Sequence, residues 1–166
     1  MAKSYKYATF ICLILSAFAL LGIIIGIIKS NPLITILLLL PTVIYEVYRT
    51  EGKSTKWASW GLLIVFVAEV ILVAFHINFD LAAFLGTTQE SVAGYNIPLG
   101  DIKVVGPGIM AVLALILFVR TRGRYTKWLA IIIFVTAIAV VYALDPSIFS
   151  QLLRFGVSEG LHQIDF

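Results

Sequence analysis

Long apolar stretches alternate with short polar segments along the whole chain. A helix that crosses a bilayer needs about 20 apolar residues, with a range of about 17–25, and lipid offers no partner to backbone polar groups outside a helix. Stretches of this kind cover residues 7–28, 33–48, 57–77, 102–119 and 128–144. The pattern therefore predicts an all-α, polytopic transmembrane bundle with five spans, built as a single membrane domain over residues 1–166.

The composition excludes an ordinary soluble domain. Apolar residues make up 61% of the chain and charged residues 13%, whereas a soluble domain is about half apolar and about a quarter charged. So few charges cannot cover a globule in water, and the bilayer is the solvent that suits this chain.

The positions of the basic residues indicate how the chain is oriented. Nine of the twelve lysines and arginines lie in the N-terminal segment, in the loop after the second span and in the loop after the fourth span. With five spans these three segments fall on one side of the membrane, and basic loops stay in the cytoplasm. The sequence therefore predicts a multi-pass protein of the cell membrane with a cytoplasmic N-terminus and a C-terminus outside.

The two basic loops have nearly the same sequence. Residues 49–57 and 120–128 are identical at six of nine positions. Convergence on a basic, aromatic turn explains the shared composition, but it does not explain the shared order. We therefore interpret the match as a duplicated two-helix unit in parallel orientation. Gly52 and Gly123 are equivalent in the two loops, where a positive φ can end a helix.

Two short segments beyond the spans predict helices that lie in the outer interface. Asp145-Pro146 combines a carboxylate cap with a proline at the first helical position, and an amphipathic pattern then predicts a helix over residues 146–155. A shorter equivalent is predicted over residues 79–85. The segment 86–103 is the longest loop, and it suits a lid or a partner contact as well as a plain connector.

Glu69 is the main candidate for chemistry, because a charge at bilayer depth costs about 2.5–3.5 kcal/mol on insertion scales. His76 and Asp80 follow at helical spacing, so one continuous helix would place all three on a face that runs toward the outer surface. Two interpretations stay open. Either the three residues form a polar path for protons, a cation or a polar substrate, or Glu69 is protonated and hydrogen-bonded while the other two lie at the water boundary.

The loop after the fourth span is the more basic of the two. Its cations predict contact with anionic lipid, worth about 1 kcal/mol for each basic residue. These residues are Arg120, Arg122, Arg124 and Lys127. The alternative is that they only orient the chain in the membrane.

Two spans also carry signals for packing and pairing. Gly22 and Gly26 form a small-xxx-small pattern, which permits close contact with another helix of this chain or of a partner. Glu46 precedes Arg49 by three residues in the second span, a spacing that favours an intrahelical ion pair.

The sequence contains no motif of a known catalytic, nucleotide-binding or metal-binding site. We therefore predict no metal, no cofactor and no nucleic-acid partner, and we do not favour an enzyme. The leading hypothesis is a structural or accessory subunit of a membrane assembly, in contact with the bilayer and with another protein or a second copy through membrane helices. The alternatives are a small transporter or channel, alone or oligomeric, that uses Glu69, His76 and Asp80, and a membrane enzyme that acts on lipid.

Overall fold

The computed structural model describes residues 7–77, 91–92, 95–96, 102–144 and 146. The helices within this part of the chain are α1 (Ala8–Lys29), α2 (Pro32–Arg49), α3 (Lys53–Ala74), α4 (Ile102–Arg120) and α5 (Arg124–Leu144). Each of the five predicted spans coincides with one of these helices. A two-residue antiparallel pair, β1 (Ser91–Val92) with β2 (Tyr95–Asn96), was not predicted. The interfacial helices expected over residues 79–85 and 146–155 lie outside the described residues, apart from Pro146.

Four of the described helices, α1, α2, α3 and α5, are long and apolar enough to cross a bilayer. The apolar part of α4, Val104–Arg120, is shorter. Both α3 and α5 begin before the predicted spans, at Lys53 and Arg124, because polar residues of each basic loop already belong to the helix. The lengths and compositions of these helices are consistent with insertion into a membrane.

The reversal between α1 and α2 follows from its capping residues. Ser30, just after α1, has a left-handed backbone with φ of 49°. The side chain of Asn31 accepts a hydrogen bond from the backbone N–H of Leu33 at 3.1 Å, and Pro32 occupies the first helical position of α2. Because proline needs no partner for an N–H at that position, the short connection turns the chain back directly.

The five helices form a closed bundle. Each helix packs against the next one in the chain, α1 packs against α5, and α2 also contacts α5. The buried core includes Ile36, Leu39, Val43, Leu62, Phe66 and Ile133. Large apolar side chains also cover the outside of all five helices, for example Phe10, Leu37, Ile64, Val112 and Ile131. Apolar residues both inside and outside are expected of a helix bundle surrounded by lipid, since lipid tails are as apolar as the core.

Two turns share the same hydrogen-bond pattern: the first turn, Thr50–Gly52, and the second turn, Thr121–Gly123. Each follows an arginine that ends one helix, and the next helix begins directly after its glycine. The backbone N–H of Thr50 and that of Thr121 each donate to the carbonyl four residues earlier, at 2.9 Å in both cases. The two turns lie side by side, because residues from both line one pocket. We call this end of the bundle the basic end.

The two turn glycines differ in conformation. Gly52 has φ of 105°, and it is the one glycine with positive φ in the described ranges. Both glycines directly precede a helix, so the expected role in ending a helix is wrong for both, and the expected positive φ is wrong for Gly123. Space is the constraint there, because a Cβ on Gly123 would lie 2.7 Å from the Thr126 hydroxyl.

Candidate functional site

A pocket of about 710 Å³ opens at the basic end, between the first and second turns. The first turn and the end of α2 contribute Glu51 and Arg49, and residues 121–126 supply the rest of the lining. Three of the lining side chains are arginines and one is a carboxylate. The site is therefore positively charged overall, and its volume is within the range of about 300–1,000 Å³ that is usual for small-molecule sites.

Arg49 is held in position by aromatic residues. Its side chain is only 8% exposed, and Nη1 donates a hydrogen bond to the Tyr45 hydroxyl at 3.2 Å. The guanidinium carbon lies 4.8 Å from the centre of the Tyr125 ring, within the range of a cation–π contact. The Tyr125 hydroxyl is in turn hydrogen-bonded to that of Thr9 at 2.9 Å. Three helices, α1, α2 and α5, therefore fix this arginine beside the pocket.

The second turn provides the opposite wall of the pocket. Arg122 and Arg124 are exposed and line the cavity. Thr121 also lines it and is 8% exposed, and its hydroxyl oxygen is buried without a hydrogen-bond partner among the described residues. Gly123 and the first residues of α5, Arg124 to Thr126, complete this wall, and the backbone N–H groups at a helix start have no partner within the helix.

Only part of the predicted lipid-contact set lines this pocket. Arg122 and Arg124 do, whereas Arg120 and Lys127 are not among the lining residues. The Lys127 ammonium lies 5.4 Å from the centre of the Phe118 ring instead. Sequence reasoning missed Arg49 as a member of the site. The signal was present, because Arg49 is equivalent to Arg120 in the repeated loops and both loops were predicted to share one side.

Glu69 is buried between α3 and α4. The residue is 1% exposed, and a Cβ built on Gly106 would overlap its carboxylate. Glu69 lies five residues before the end of α3 at Ala74, so His76 comes after the helix, with φ of 52° and an exposed side chain. The shared helical face predicted for Glu69 and His76 therefore does not form. Asp80, the third residue of the candidate polar path, lies outside the described residues.

A second buried carboxylate, Glu46, lies between α2 and α3. It is 1% exposed, and its Oε1 accepts hydrogen bonds from the hydroxyls of Thr50 at 2.5 Å and Ser59 at 2.8 Å. These hydroxyls are its hydrogen-bond partners within the described ranges, so the expected ion pair with Arg49 is wrong. The guanidinium of Arg49 is instead directed toward Tyr45 and Tyr125.

Gly22 and Gly26 are buried where α1 crosses α2. A Cβ on Gly22 would lie 2.9 Å from the Cβ of Leu38, and one on Gly26 would overlap the Thr35 hydroxyl. That hydroxyl donates to the backbone carbonyl of Gly22 at 2.9 Å. The structure thus places the small-residue face of α1 against a helix of the same chain.

In the part of the chain that the structure describes, no three histidine, cysteine or acidic side chains come together as a group that could hold a metal ion. Comparison with protein-family models, with curated proteins and with solved structures gave no match for this chain.

Proposed function

We propose that this chain is a five-span membrane protein that serves as a structural or accessory subunit of a membrane assembly. The observation that carries the proposal is the closure of the bundle around its buried acids. Glu69 is covered by Gly106 of α4, and Glu46 accepts hydrogen bonds from Thr50 and Ser59. A bundle packed closed in this way favours a structural role over passage of a substrate through its centre.

The fifth span and the orientation belong to this proposal. The apolar part of α4, Val104–Arg120, has a length at the lower limit of about 17 residues for a span. It packs between α3 and α5, which supports its insertion beside them. Because both basic turns share one end of the bundle, the positive-inside rule then favours a cytoplasmic N-terminus and a C-terminus outside.

Topology can be tested in intact cells with tags at the two chain ends. We expect a C-terminal tag to be cleaved by external protease while an N-terminal tag is protected until the membrane is permeabilised. A co-expressed cytoplasmic protein serves as the leakage control. Protection of both ends would contradict the odd number of spans.

The matched turns support the duplication of a two-helix unit. Thr55 and Thr126, equivalent in the two loops, are both hydrogen-bonded through their hydroxyls to the carbonyl of the turn glycine, at 3.1 Å and 2.8 Å. Shared sequence order and shared hydrogen bonds are more than a basic composition requires. Duplication builds structural bundles as well as transporters, so it does not by itself select between the two functions.

The accessory role predicts stable partners. An affinity-tagged chain extracted in mild detergent is expected to co-purify with at least one other membrane protein at a constant ratio after gel filtration. A tagged, unrelated membrane protein of similar size should not retain that partner. Purification of this chain alone, under conditions that preserve known membrane complexes of the same cells, would contradict the proposal.

A second candidate is a small transporter or channel, and the burial of Glu69 supports it. An acid at 1% exposure inside an apolar bundle is costly to keep and is commonly functional in membrane proteins. The test is ion or proton flux in proteoliposomes that contain the purified chain. Flux that falls with Glu69→Gln, but not with the same change at exposed Glu51, would favour transport over the accessory role.

A further inference from the structure

We infer that the basic-end pocket binds a phosphate group, either the headgroup of an anionic lipid or a soluble phosphate compound. The inference goes beyond the accessory role and does not depend on it. It also differs from a general attraction between basic loops and lipid, because it assigns the binding to a defined cavity between two turns.

The charges of the pocket favour an oxyanion. The cavity is lined by Arg49 at the end of α2, Arg122 of the second turn and Arg124 at the start of α5, and Glu51 offsets one of the three positive charges. Guanidinium groups bind phosphate oxygens through paired, charge-assisted hydrogen bonds. Arg49 is already immobilised by Tyr45 and Tyr125, so less side-chain entropy is lost when it binds.

The backbone of the pocket favours the same ligand. The cavity is lined by Gly123 and the first residues of α5, a helix of 21 residues that begins at Arg124. The N–H groups of a first helical turn point away from the helix and carry a partial positive charge. An anion at this position is stabilised by both effects, and phosphate is the usual one.

Thr121 adds a hydroxyl that has no hydrogen-bond partner among the described residues. Its oxygen is buried, and Thr121 itself lines the cavity. A buried hydroxyl without a hydrogen bond is unfavourable, so a ligand that gives it a partner gains affinity. Thr126, by contrast, already donates to the carbonyl of Gly123 at 2.8 Å.

The position of the pocket fits both sources of phosphate. It lies at the ends of the spanning helices, where α2 and α4 finish and α5 starts, which is the depth of lipid headgroups on one side of a bilayer. Its volume of about 710 Å³ also leaves room for a substituent beside the phosphate. The experiment therefore needs one arm for lipid and one for soluble phosphate.

In the lipid arm, the purified chain is placed in nanodiscs of phosphatidylcholine with increasing phosphatidylglycerol, and bound lipid is counted by native mass spectrometry. In the soluble arm, inorganic phosphate and glycerol 3-phosphate are titrated against the protein in pure phosphatidylcholine discs by thermal shift. Saturable binding in the first arm alone assigns a headgroup, and saturable binding in the second assigns a soluble compound. Absence of saturable binding in both arms overturns the proposal.

Two double variants separate the pocket from simple charge. Arg122→Gln with Arg124→Gln removes two cations that line the pocket, and Arg120→Gln with Lys127→Gln removes two that do not. We expect the first pair to weaken binding at least about tenfold and the second pair to weaken it about threefold or less. Equal losses would show that only net charge matters and would overturn the assignment to the pocket.

Thr121→Val provides a test that leaves charge and shape unchanged. We expect it to weaken binding about tenfold, while the thermal stability of the unliganded protein stays equal or rises because a partnerless hydroxyl is removed. A merely structural hydroxyl would give the opposite pattern, with lower stability and unchanged affinity. That pattern would remove Thr121 from the site.

Discussion

The carboxylate of Glu69 in α3 lies against the backbone of Gly106 in α4, and this contact sets how closely the two helices approach. A Cβ at residue 106 would overlap the carboxylate, so glycine is required for the present separation. Elsewhere between the same two helices, a Cβ added to Gly61 of α3 would lie 3.9 Å from the Leu113 side chain of α4. That distance is an ordinary van der Waals contact. The tight point between the helices is therefore specific to the buried acid.

Replacing Gly106 should consequently destabilise the bundle. We expect Gly106→Ala to lower the free energy of unfolding by about 1–3 kcal/mol, because either the helix or the acid must move. Gly108→Ala is the matched control in the same helix, since its Cβ would meet no atom within 4 Å. Thermal unfolding in detergent, followed by intrinsic fluorescence, measures both variants.

The cause can be assigned with a double-mutant cycle. If overlap with the acid is the reason, Glu69→Ala should remove most of the cost of Gly106→Ala. If Gly106→Ala lowered the free energy of unfolding equally in the wild-type and Glu69→Ala backgrounds, a contact other than the one with Glu69 would be responsible.

The positions of the helices could be predicted from the sequence because local signals mark where most of them begin and end. Asn31-Pro32 begins α2 by capping and by the fixed φ of proline, and the basic loops interrupt the apolar pattern where α2 and α4 end. The end of α3 was predicted too late in the chain. An apolar run continues to Ile77, but the helix ends at Ala74, and hydropathy does not distinguish an apolar helix from an apolar residue that follows it.

The contacts between helices could not be predicted, because the rotation and depth of each helix depend on packing and not on its own sequence. Glu46 shows this clearly. Its spacing to Arg49 suggested an ion pair, but Ser59 from α3 occupies the space beside the carboxylate. The guanidinium of Arg49 lies over the ring of Tyr125 from α5 instead. The basic-end pocket was missed for the same reason, since it exists only where two turns distant in sequence meet.

The hydrogen bond from Ser59 to Glu46 should contribute measurably to stability. Both residues are at most 1% exposed, so removal of the hydroxyl leaves the buried carboxylate with one donor fewer. We expect Ser59→Ala to lower the free energy of unfolding by about 1–3 kcal/mol. Chemical or thermal unfolding in a single detergent provides the measurement.

The same substitution in a Glu46→Leu background tests the mechanism. Leucine is the residue that α4 carries at the equivalent position, Leu117, which is also buried. Because this background has no carboxylate to accept the hydrogen bond, we expect Ser59→Ala to change the free energy of unfolding very little. If Ser59→Ala destabilised the protein as much in this background as in the wild type, Ser59 would act through packing and not through the hydrogen bond.

The crossing of α1 and α2 depends on glycine at residue 26. A side chain there would overlap the Thr35 hydroxyl, which itself donates to the carbonyl of Gly22 at 2.9 Å. We therefore expect Gly26→Ala to cost about 1–3 kcal/mol, whereas Gly61→Ala, with its nearest contact at 3.9 Å, should be close to neutral. Equal effects of the two substitutions would indicate a general intolerance of alanine and not a close helix crossing.

The two turn glycines should respond differently to alanine, although they are equivalent in sequence. Gly52 has φ of 105°, a conformation that costs a residue with a side chain about 1–3 kcal/mol whatever its neighbours are. At Gly123 the obstacle is the Thr126 hydroxyl, 2.7 Å from an added Cβ. Gly52→Ala and Gly123→Ala should therefore both destabilise the protein, but for different reasons.

Removing the neighbouring threonine separates the two causes. We expect Thr126→Ala to relieve most of the cost of Gly123→Ala, because the overlapping atom is gone. Thr55→Ala should leave the cost of Gly52→Ala largely intact, since the backbone conformation is unchanged and the Thr55 hydroxyl lies at 3.0 Å from the added Cβ. Unfolding of the four single and two double variants in one detergent decides the matter. Equal relief in both turns would mean that side-chain crowding, and not backbone conformation, selects glycine at residue 52.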